Sequence, residues 1–510
     1  MDKSKVDYSV YLVTDSTPAI LGTKDLVRVV EAAVRGGVSI VQYRDKHSDR
    51  QTAVQTARKL LEVTRRFGVP LLVNDRVDVA VEVGCEGVHI GQDDMAYEEA
   101  RKLLGPDKII GVTASSVDEA LAACKAGADY LGLGTVYATP TKKDTKSIIG
   151  PSGIRSILQA LSSAGHASIP TVCIGGINAR NATAVLLESS AAPQKSLDGI
   201  AVVSALVAAD DPAAAARDLL AKVVTGRVPD VLRAVAEATP LSHNMTNLVV
   251  QNFAANVALA VGASPIMANY AEEAADLAKL GGALVINMGT VTPDGLKNHI
   301  QAIQAYNAAG GPVVLDPVGA GATSIRRSAV QTLLSSGKFT IIKGNEREIH
   351  TISNTSSAIV QRGVDSSSTL SIPQRAALAK SVSRSTGGGA VVVLTGKTDI
   401  VSDGVRTLRI DNGHEYLGRV TGTGCTLGTT LSAMVAAFRG KKSPLVAAVA
   451  GLVMFEIAAE RAGVRDDVRG PGTFVPAFLD ELSALREETV RGDVKWLAGA
   501  KVEAVEVEEE

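Results

Sequence analysis

Gly87-Val88-His89-Ile90-Gly91-Gln92-Asp93-Asp94 carries two signals in one short stretch. The run containing Val88 and Ile90 reads as a buried strand, and the glycine and carboxylates behind it read as a loop bearing chemistry. The pattern recurs. From Tyr8 to about Val207, strand-like runs alternate with amphipathic helical stretches: Val10 to Thr14, Ser39 to Tyr43, Leu71 to Asn74, Ile109 to Thr113, Tyr130 to Gly134, Thr171 to Ile174 and Gly199 to Val203. Eight such units in roughly 200 residues predict an α/β fold closed as a (β/α)₈ barrel, with an open doubly wound sheet as the other arrangement of the same units.

In a barrel the active site lies at the C-terminal strand ends, so the residues standing there decide what the domain can do. Nearly every end is polar. The second strand runs into Gln42-Tyr43-Arg44-Asp45-Lys46, the third into Asn74-Asp75-Arg76, and the fifth ends at Thr113. After the sixth comes Thr139-Pro140-Thr141-Lys142, after the seventh Gly175-Gly176, and the eighth closes on Val203-Ser204. Arg44, Lys46 and Lys142 supply cations for an anion with several oxygens, and Asp75 with Asp94 forms a pair of hard carboxylates suited to Mg²⁺ bridging to phosphates. Together they predict a diphosphate site. Gly175-Gly176 and Ser204 occupy the place where barrels commonly bind a monophosphate. A lone Asp or Lys after a strand is ordinarily a helix cap or a solvated loop charge. Six strand ends with complementary groups are hard to explain that way. His89 reads as structural, paired through its ring to a neighbouring loop, and Cys85, Cys124 and Cys173 read as packing residues.

At 510 residues the chain calls for two domains. A net charge of −2 without a Lys/Arg-rich block argues against nucleic-acid or membrane-surface binding and for small-molecule chemistry. The four cysteines lie far apart, fitting neither a disulfide framework nor a zinc site. The polar N-terminus and the lack of a long apolar run predict a cytoplasmic protein. Ala213 to Arg233 reads as helical with Gly226 and Pro229 as breakers, and a new apolar pattern begins after Thr239-Pro240. Domains are therefore expected at 1–226 and 239–510, joined by a short, stiff linker at 227–238.

The second half again alternates helices with buried strands: Ala283 to Asn287, Pro312 to Asp316, Phe339 to Lys343 and Ala390 to Thr395. Its decisive stretch is Thr421-Gly422-Thr423-Gly424-Cys425-Thr426, where two glycines precede an apolar helical run from Leu427 to Phe438. Backbone N–H groups converging at a helix N-terminus make an anion hole, with Cys425 first on the helix and beside the attacking group. Asp316 and Glu348 are placed to hold Mg²⁺ on nucleotide phosphates, and Lys343 and Thr395 to contact those phosphates. Gly396-Lys397-Thr398 mimics the end of a P-loop, but Val391 stands where its first glycine belongs. The Ser/Thr-rich stretch Thr351 to Ser371 reads as a surface loop, and Val502 to Glu510 as a solvated acidic tail.

YLVTD, QYRDK, LLVNDR, GVHIGQDD, IGVTAS, GLGTVYATPTK, IGGI and AVVSAL follow the order and spacing of thiamine-phosphate synthases, and residues 8 to 207 resemble that family. The resemblance implies a TIM barrel that joins 4-amino-2-methyl-5-hydroxymethylpyrimidine diphosphate to thiazole phosphate. By it, Gln42, Arg44, Lys46, Asn74 and Lys142 hold the pyrimidine diphosphate, and Asp75 and Asp94 hold Mg²⁺. Thr139, Thr141, Gly176, Val203 and Ser204 hold the thiazole phosphate, with Gly175 beside them. Thr113 stands where the family more often has Ser, keeping the hydroxyl for the pyrimidine site. Ser162 to Ser168 and Ser190 to Leu197 are longer than the family pattern and read as surface insertions.

HNMTNLV, GASPIMA, GALVINMGT, VVLDPVGAGAT, KGNEREI, LTGKTD, NGH and VTGTGC make residues 240 to 475 resemble the ribokinase-like family, most closely hydroxyethylthiazole kinases. The resemblance implies that Met267 and Gly422 meet the thiazole, that Lys343 and Thr395 serve ATP, and that Cys425 replaces the aspartate base of the wider family. Lys343 stands where many members carry Arg. It further implies a homo-oligomer built on trimers, which the barrels could double to a hexamer. The expected protein is a two-step enzyme that phosphorylates the thiazole and then couples it. A generic phosphate-binding barrel isomerase joined to a sugar or pyrimidine kinase would need neither Asp75 with Asp94 and three cations nor Cys425 in place of aspartate, and a sensor or scaffold of decayed domains would lack catalytic groups that are present.

Overall fold

The eight expected runs are strands β1 (Val10–Val13), β2 (Ile40–Tyr43), β3 (Leu71–Asn74), β4 (Gly87–Ile90), β5 (Ile109–Ala114), β6 (Tyr130–Gly134), β7 (Thr171–Ile174) and β8 (Gly199–Val202). All pair in parallel, and β8 pairs back to β1, closing the barrel. The computed structural model describes residues 2–139, 147–191, 194–353, 369–387, 389–439 and 443–507. Thr141 and Lys142 lie outside the described residues.

Strands this short and fully enclosed carry buried side chains on both faces, which is why they read as apolar runs without clean alternation. Tyr11, Val13, Ile40, Leu72, Ile109, Tyr130, Val172 and Ala201 belong to one buried cluster. The two stretches expected as surface insertions are pinned together, because buried Lys195 donates through Nζ to the carbonyls of Ala167 (3.0 Å) and Ile169 (2.6 Å).

The chain divides after Gly226 into units Met1–Gly226 and Arg227–Glu510. The stretch expected as a linker, 227–238, is instead mostly helix, Val228–Ala238, belonging to the second unit. Val228, Val231, Leu232 and Val235 line one buried face, packed against helices Thr423–Ala437, Pro444–Gly463 and Pro471–Val490. The amphipathic spacing there is that of a core-facing helix rather than a connection.

The second unit is one nine-stranded sheet. Its strands are β9 (Leu241–Met245), β10 (Ser264–Ile266), β11 (Ala283–Asn287), β12 (Val313–Asp316), β13 (Ile341–Asn345), β14 (Val391–Thr395), β15 (Asp399–Ser402), β16 (Thr407–Ile410) and β17 (Val502–Ala504). The order is β10-β9-β11-β12-β13-β14-β15-β16-β17, parallel through β14 and antiparallel beyond. Residues 502–504, expected in a solvated tail, form an edge strand instead, since Val502 is buried against the sheet. Gly396-Lys397-Thr398 is the turn of the β14–β15 hairpin, not the start of a helix. Of the Ser/Thr-rich stretch, Thr351 and Ile352 end the helix Glu346–Ile352, and 354–368 lie outside the described residues.

Candidate active sites

In the barrel, Asp75 follows β3 and adopts a left-handed conformation at φ 61, rare for a residue with a side chain and often found where function constrains the backbone. Its amide donates to the His89 carbonyl (2.9 Å), and its carboxylate meets the Lys46 Nζ at 3.2 Å. Asp94 accepts from the Gly91 amide (2.6 Å), and its carboxyl lies near enough to that of Asp75 for each to act on the other's charge. Burial, then the adjoining Asp94 carboxyl, push Asp75 up to about 6, with Lys46 opposing. Two carboxylates forced into contact are what a divalent cation would relieve, so the pair fits Mg²⁺ completed by substrate oxygens.

Arg44 reaches back to buried Asp15 (3.1 Å), and its amide donates to Thr14 Oγ1 (2.9 Å). Asp45 shapes the loop between the two cations by accepting from the amides of His47 and Ser48 (both 3.0 Å) and from the Ser48 hydroxyl (2.8 Å). Neither Asp15 nor Asp45 was legible as a site residue. Asn74 is half-buried at the end of β3. Gly175 (φ 114) and Gly176 (φ 66) form the turn after β7, where a Cβ on Gly175 would lie 2.3 Å from Thr135. Asn181 Nδ2 donates to the Gly176 carbonyl (3.0 Å), and Val203 precedes a short helix beginning at Ser204. Thr139 is half-buried beside that turn's neighbour Tyr137, whose amide donates to the Gly175 carbonyl (3.0 Å).

Inside the barrel, Gln42 Nε2 donates to Tyr11 OH (2.8 Å), Tyr11 OH meets Tyr130 OH (2.7 Å), Tyr130 OH meets His89 Nδ1 (2.7 Å), and His89 Nε2 meets Thr113 Oγ1 (2.8 Å). His89 is therefore structural, as expected, but its partners are strand residues rather than a loop. Burial pushes its imidazole down to about 4, so it is neutral at ordinary pH.

In the second unit, Gly422 caps the helix Thr423–Ala437 at φ 93, with its Cβ position 2.8 Å from Val250 Cγ2, so only glycine fits. No side chain caps this N-terminus; Thr423 Oγ1 donates instead to the carbonyls of Leu417 (2.6 Å) and Val420 (3.1 Å). The first N–H groups of the helix remain available to an anion. Beneath them Lys343 Nζ donates to Asp316 Oδ1 (3.0 Å) and to the Gly424 carbonyl (2.9 Å). Both charged groups are buried, and Lys343, expected at the nucleotide, bridges Asp316 and the helix start.

Asn287 Nδ2 donates to Asp316 Oδ2 (2.9 Å), Asn247 Nδ2 donates to Asn287 Oδ1 (3.0 Å), and Asn247 also reaches Cys425 Sγ (3.4 Å). These two amides were missed, although Asn287 closes an expected strand and Asn247 sits in a quoted motif. A helix N-terminus favours thiolate. Here burial pushes the Cys425 thiol up, Asp316 adds to this, and Lys343 with the amides opposes without reversing it. Glu348 accepts from the amides of Gly319 and Asn345 (both 2.8 Å), and burial followed by the Asp316 charge raises it. Each oxygen keeps a second lone pair, so Asp316 and Glu348 fit a cation that would lower their mutual repulsion. Thr395 is half-buried at the end of β14, and Met267 half-buried just past β10.

The Thiamine monophosphate synthase family matches residues 10–206, and the Hydroxyethylthiazole kinase family matches residues 232–488. A probable thiamine biosynthetic bifunctional enzyme of Schizosaccharomyces pombe is 39% identical over 530 aligned positions, covering 99% of this chain and 100% of the relative. The thiamine biosynthetic bifunctional enzyme of Saccharomyces cerevisiae is 35% identical, covering 98% and 99%. The chain belongs to the family of bifunctional thiamine biosynthetic enzymes. Its first unit is the synthase and its second the kinase. The synthase half alone is 49% identical to the thiamine-phosphate synthase of Chloroflexus aurantiacus, over 43% of this chain and 94% of that one. Among the described residues no helix is long and apolar enough to cross a membrane.

Proposed function

We propose that the kinase unit transfers the γ-phosphoryl of ATP to the hydroxyl of 4-methyl-5-(2-hydroxyethyl)thiazole. The barrel then joins that phosphate ester to 4-amino-2-methyl-5-hydroxymethylpyrimidine diphosphate, giving thiamine phosphate and diphosphate. The observation that carries this reading is an uncapped helix N-terminus over a buried Asp316–Lys343 pair in one unit, with the Asp75–Asp94–Lys46 cluster in the other.

In the kinase, the attacking hydroxyl meets Cys425 while Met267 and Gly422 hold the thiazole. The sulfur already accepts from Asn247 and its thiol is raised, which supports Cys425 in orienting the hydroxyl more than in removing its proton. The helix N–H groups steady the charge on the phosphoryl group in flight, Thr395 contacts the nucleotide phosphates, and Lys343 holds Asp316 and the Gly424 carbonyl in place. Asp316 and Glu348 would hold Mg²⁺. In the barrel, the C–O bond to diphosphate breaks first. Arg44, Lys46 and Lys142 take the charge of the leaving diphosphate, and the thiazole nitrogen lone pair then forms the C–N bond. That nitrogen carries no proton, so no general base is needed. Asp75 and Asp94 would hold the Mg²⁺, whose part is to neutralise phosphate charge. Gln42, Asn74 and Thr113 grip the pyrimidine; Thr139, Thr141, Gly175, Gly176, Val203 and Ser204 grip the thiazole phosphate.

The reading extends to a cytoplasmic homo-oligomer built on trimers, doubled to a hexamer through the barrels. Exposed Leu248, Val249 and Tyr270, close in sequence to Asn247 and Met267, support a neighbour at the kinase site. The experiment is a single assay with ATP, Mg²⁺, hydroxyethylthiazole and the pyrimidine diphosphate, read for thiamine phosphate. Product should vanish on omission of any one component. Product formed without ATP from unphosphorylated thiazole would overturn the reading.

A further inference from the structure

The barrel interior holds a continuous chain of neutral hydrogen-bonding groups, Gln42–Tyr11–Tyr130–His89–Thr113, whose ends stand on β2 and β5. Tyr11 and Tyr130 are fully buried, and Gly111 and Gly132 leave room for their partners: a Cβ on Gly111 would lie 2.0 Å from the Tyr130 ring, and one on Gly132 2.9 Å from His89 Cε1. Each tyrosine hydroxyl has one proton and two partners in the chain. With the Gln42 amide donating to Tyr11, counting protons fixes the direction of every other link.

Gln42 donates to Tyr11, so Tyr11 must give its only proton to Tyr130, and Tyr130 must give its own to His89 Nδ1. Nδ1 is then bare. With Nδ1 accepting, the imidazole carries a single ring proton, which sits on Nε2 and points at Thr113 Oγ1. Thr113, having accepted, is left with its hydroxyl proton directed elsewhere. At the other end Gln42, having committed its amide nitrogen, is left with Oε1, which takes no bond from any described residue. Turning the Gln42 amide over would reverse every link and exchange the two outward polarities.

We propose that this chain is a polarity relay, in which Tyr11, Tyr130 and His89 are positioning residues that tie the two ends together, so that Gln42 presents an acceptor and Thr113 a donor to the pyrimidine diphosphate. The inference rests on the substrate reading above. It means that the site distinguishes an amino-substituted ring from its oxo counterpart through residues that need not touch the ring. An amino group meets the Gln42 oxygen favourably, whereas an oxo group meets it as a second acceptor.

Two measurements test it. In the uniformly ¹⁵N-labelled full chain, long-range ¹H–¹⁵N correlation reads the His89 tautomer without any substrate; Nε2–H with a bare Nδ1 is expected, and Nδ1–H would overturn the direction of the relay. Coupling is then measured for the 4-amino pyrimidine diphosphate and its 4-oxo analogue. Tyr130→Phe should raise KM for the amino substrate about tenfold with a smaller change in kcat, and reduce the preference for amino over oxo. Tyr11→Phe should act in the same direction should Tyr130→Phe prove unstable. Kinase turnover in the same chain, unchanged, reports intact protein. Unaltered KM and preference in a folded variant would overturn the relay. Absence of coupling in the unsubstituted protein would instead overturn the substrate reading and leave the tautomer result standing.

Discussion

The two sites put charge in opposite places. In the barrel the hydrogen-bonded chain from Gln42 to Thr113 is neutral, and the Lys46–Asp75 ion pair stands at the mouth, where both partners remain partly exposed. In the kinase the ionic pair itself is buried: Lys343 and Asp316 lie beneath the helix start, with Glu348 enclosed nearby. A charge at a rim can be removed with little consequence for folding, whereas one partner of a buried pair cannot. Activity and stability should therefore separate in one half of the molecule and coincide in the other.

The sharpest break of that contrast is Lys343→Ala, which strands Asp316 in the interior. Kinase activity should be lost and the second unit destabilised by about 3–5 kcal/mol in urea unfolding. A variant inactive but equally stable would show that the pair is not needed for folding. Asp75→Ala should abolish coupling with a stability change within about 1 kcal/mol and with kinase turnover intact, measured in the same preparation. Retained coupling there, and in Lys142→Ala, would remove the barrel assignment. Cys425→Ala should lower kinase kcat by about tenfold, while Cys425→Asp should retain or raise it; full activity in the alanine variant would leave the cysteine a packing residue.

The smallest effect compares two buried histidines. His89 has both ring nitrogens engaged, whereas His299 in the second unit has Nδ1 without a partner among the described residues, and burial pushes it down to about 4. Its folded value lies below the unfolded one of about 6.5, so the unfolded chain takes up the proton first on acidification. The stability it contributes is present above about pH 6.5 and lost as pH falls toward 4. His299→Leu should flatten that branch of the pH–stability curve, seen in thermal unfolding between pH 7 and 4.5.

The barrel was legible because each buried strand is short, apolar and followed by polar loop residues, so strand and site announce each other. The second sheet was less so. Strand β10 holds Pro265 and only three residues, β9 is interrupted by His243 and Asn244, and β15 to β17 lie in charged sequence whose pairing is antiparallel and distant. Site residues at strand ends were visible for the same reason as the strands. Partners supplied from elsewhere, such as Asp15 for Arg44 and Asn247 for Cys425, were not, because only folding brings them together. The sign of the Cys425 shift was also hidden: a helix terminus is readable in sequence, but the depth of burial and the approach of Asp316 are not.

The three-residue strand Val502–Ala504 shields the backbone of Thr407–Ile410, which would otherwise be the margin of the sheet. Truncation before Val502 should therefore do more than shorten a tail. It would leave a row of N–H and C=O groups open to any extended peptide, and the trimmed protein should self-associate with time and concentration while its two reactions stay intact at first.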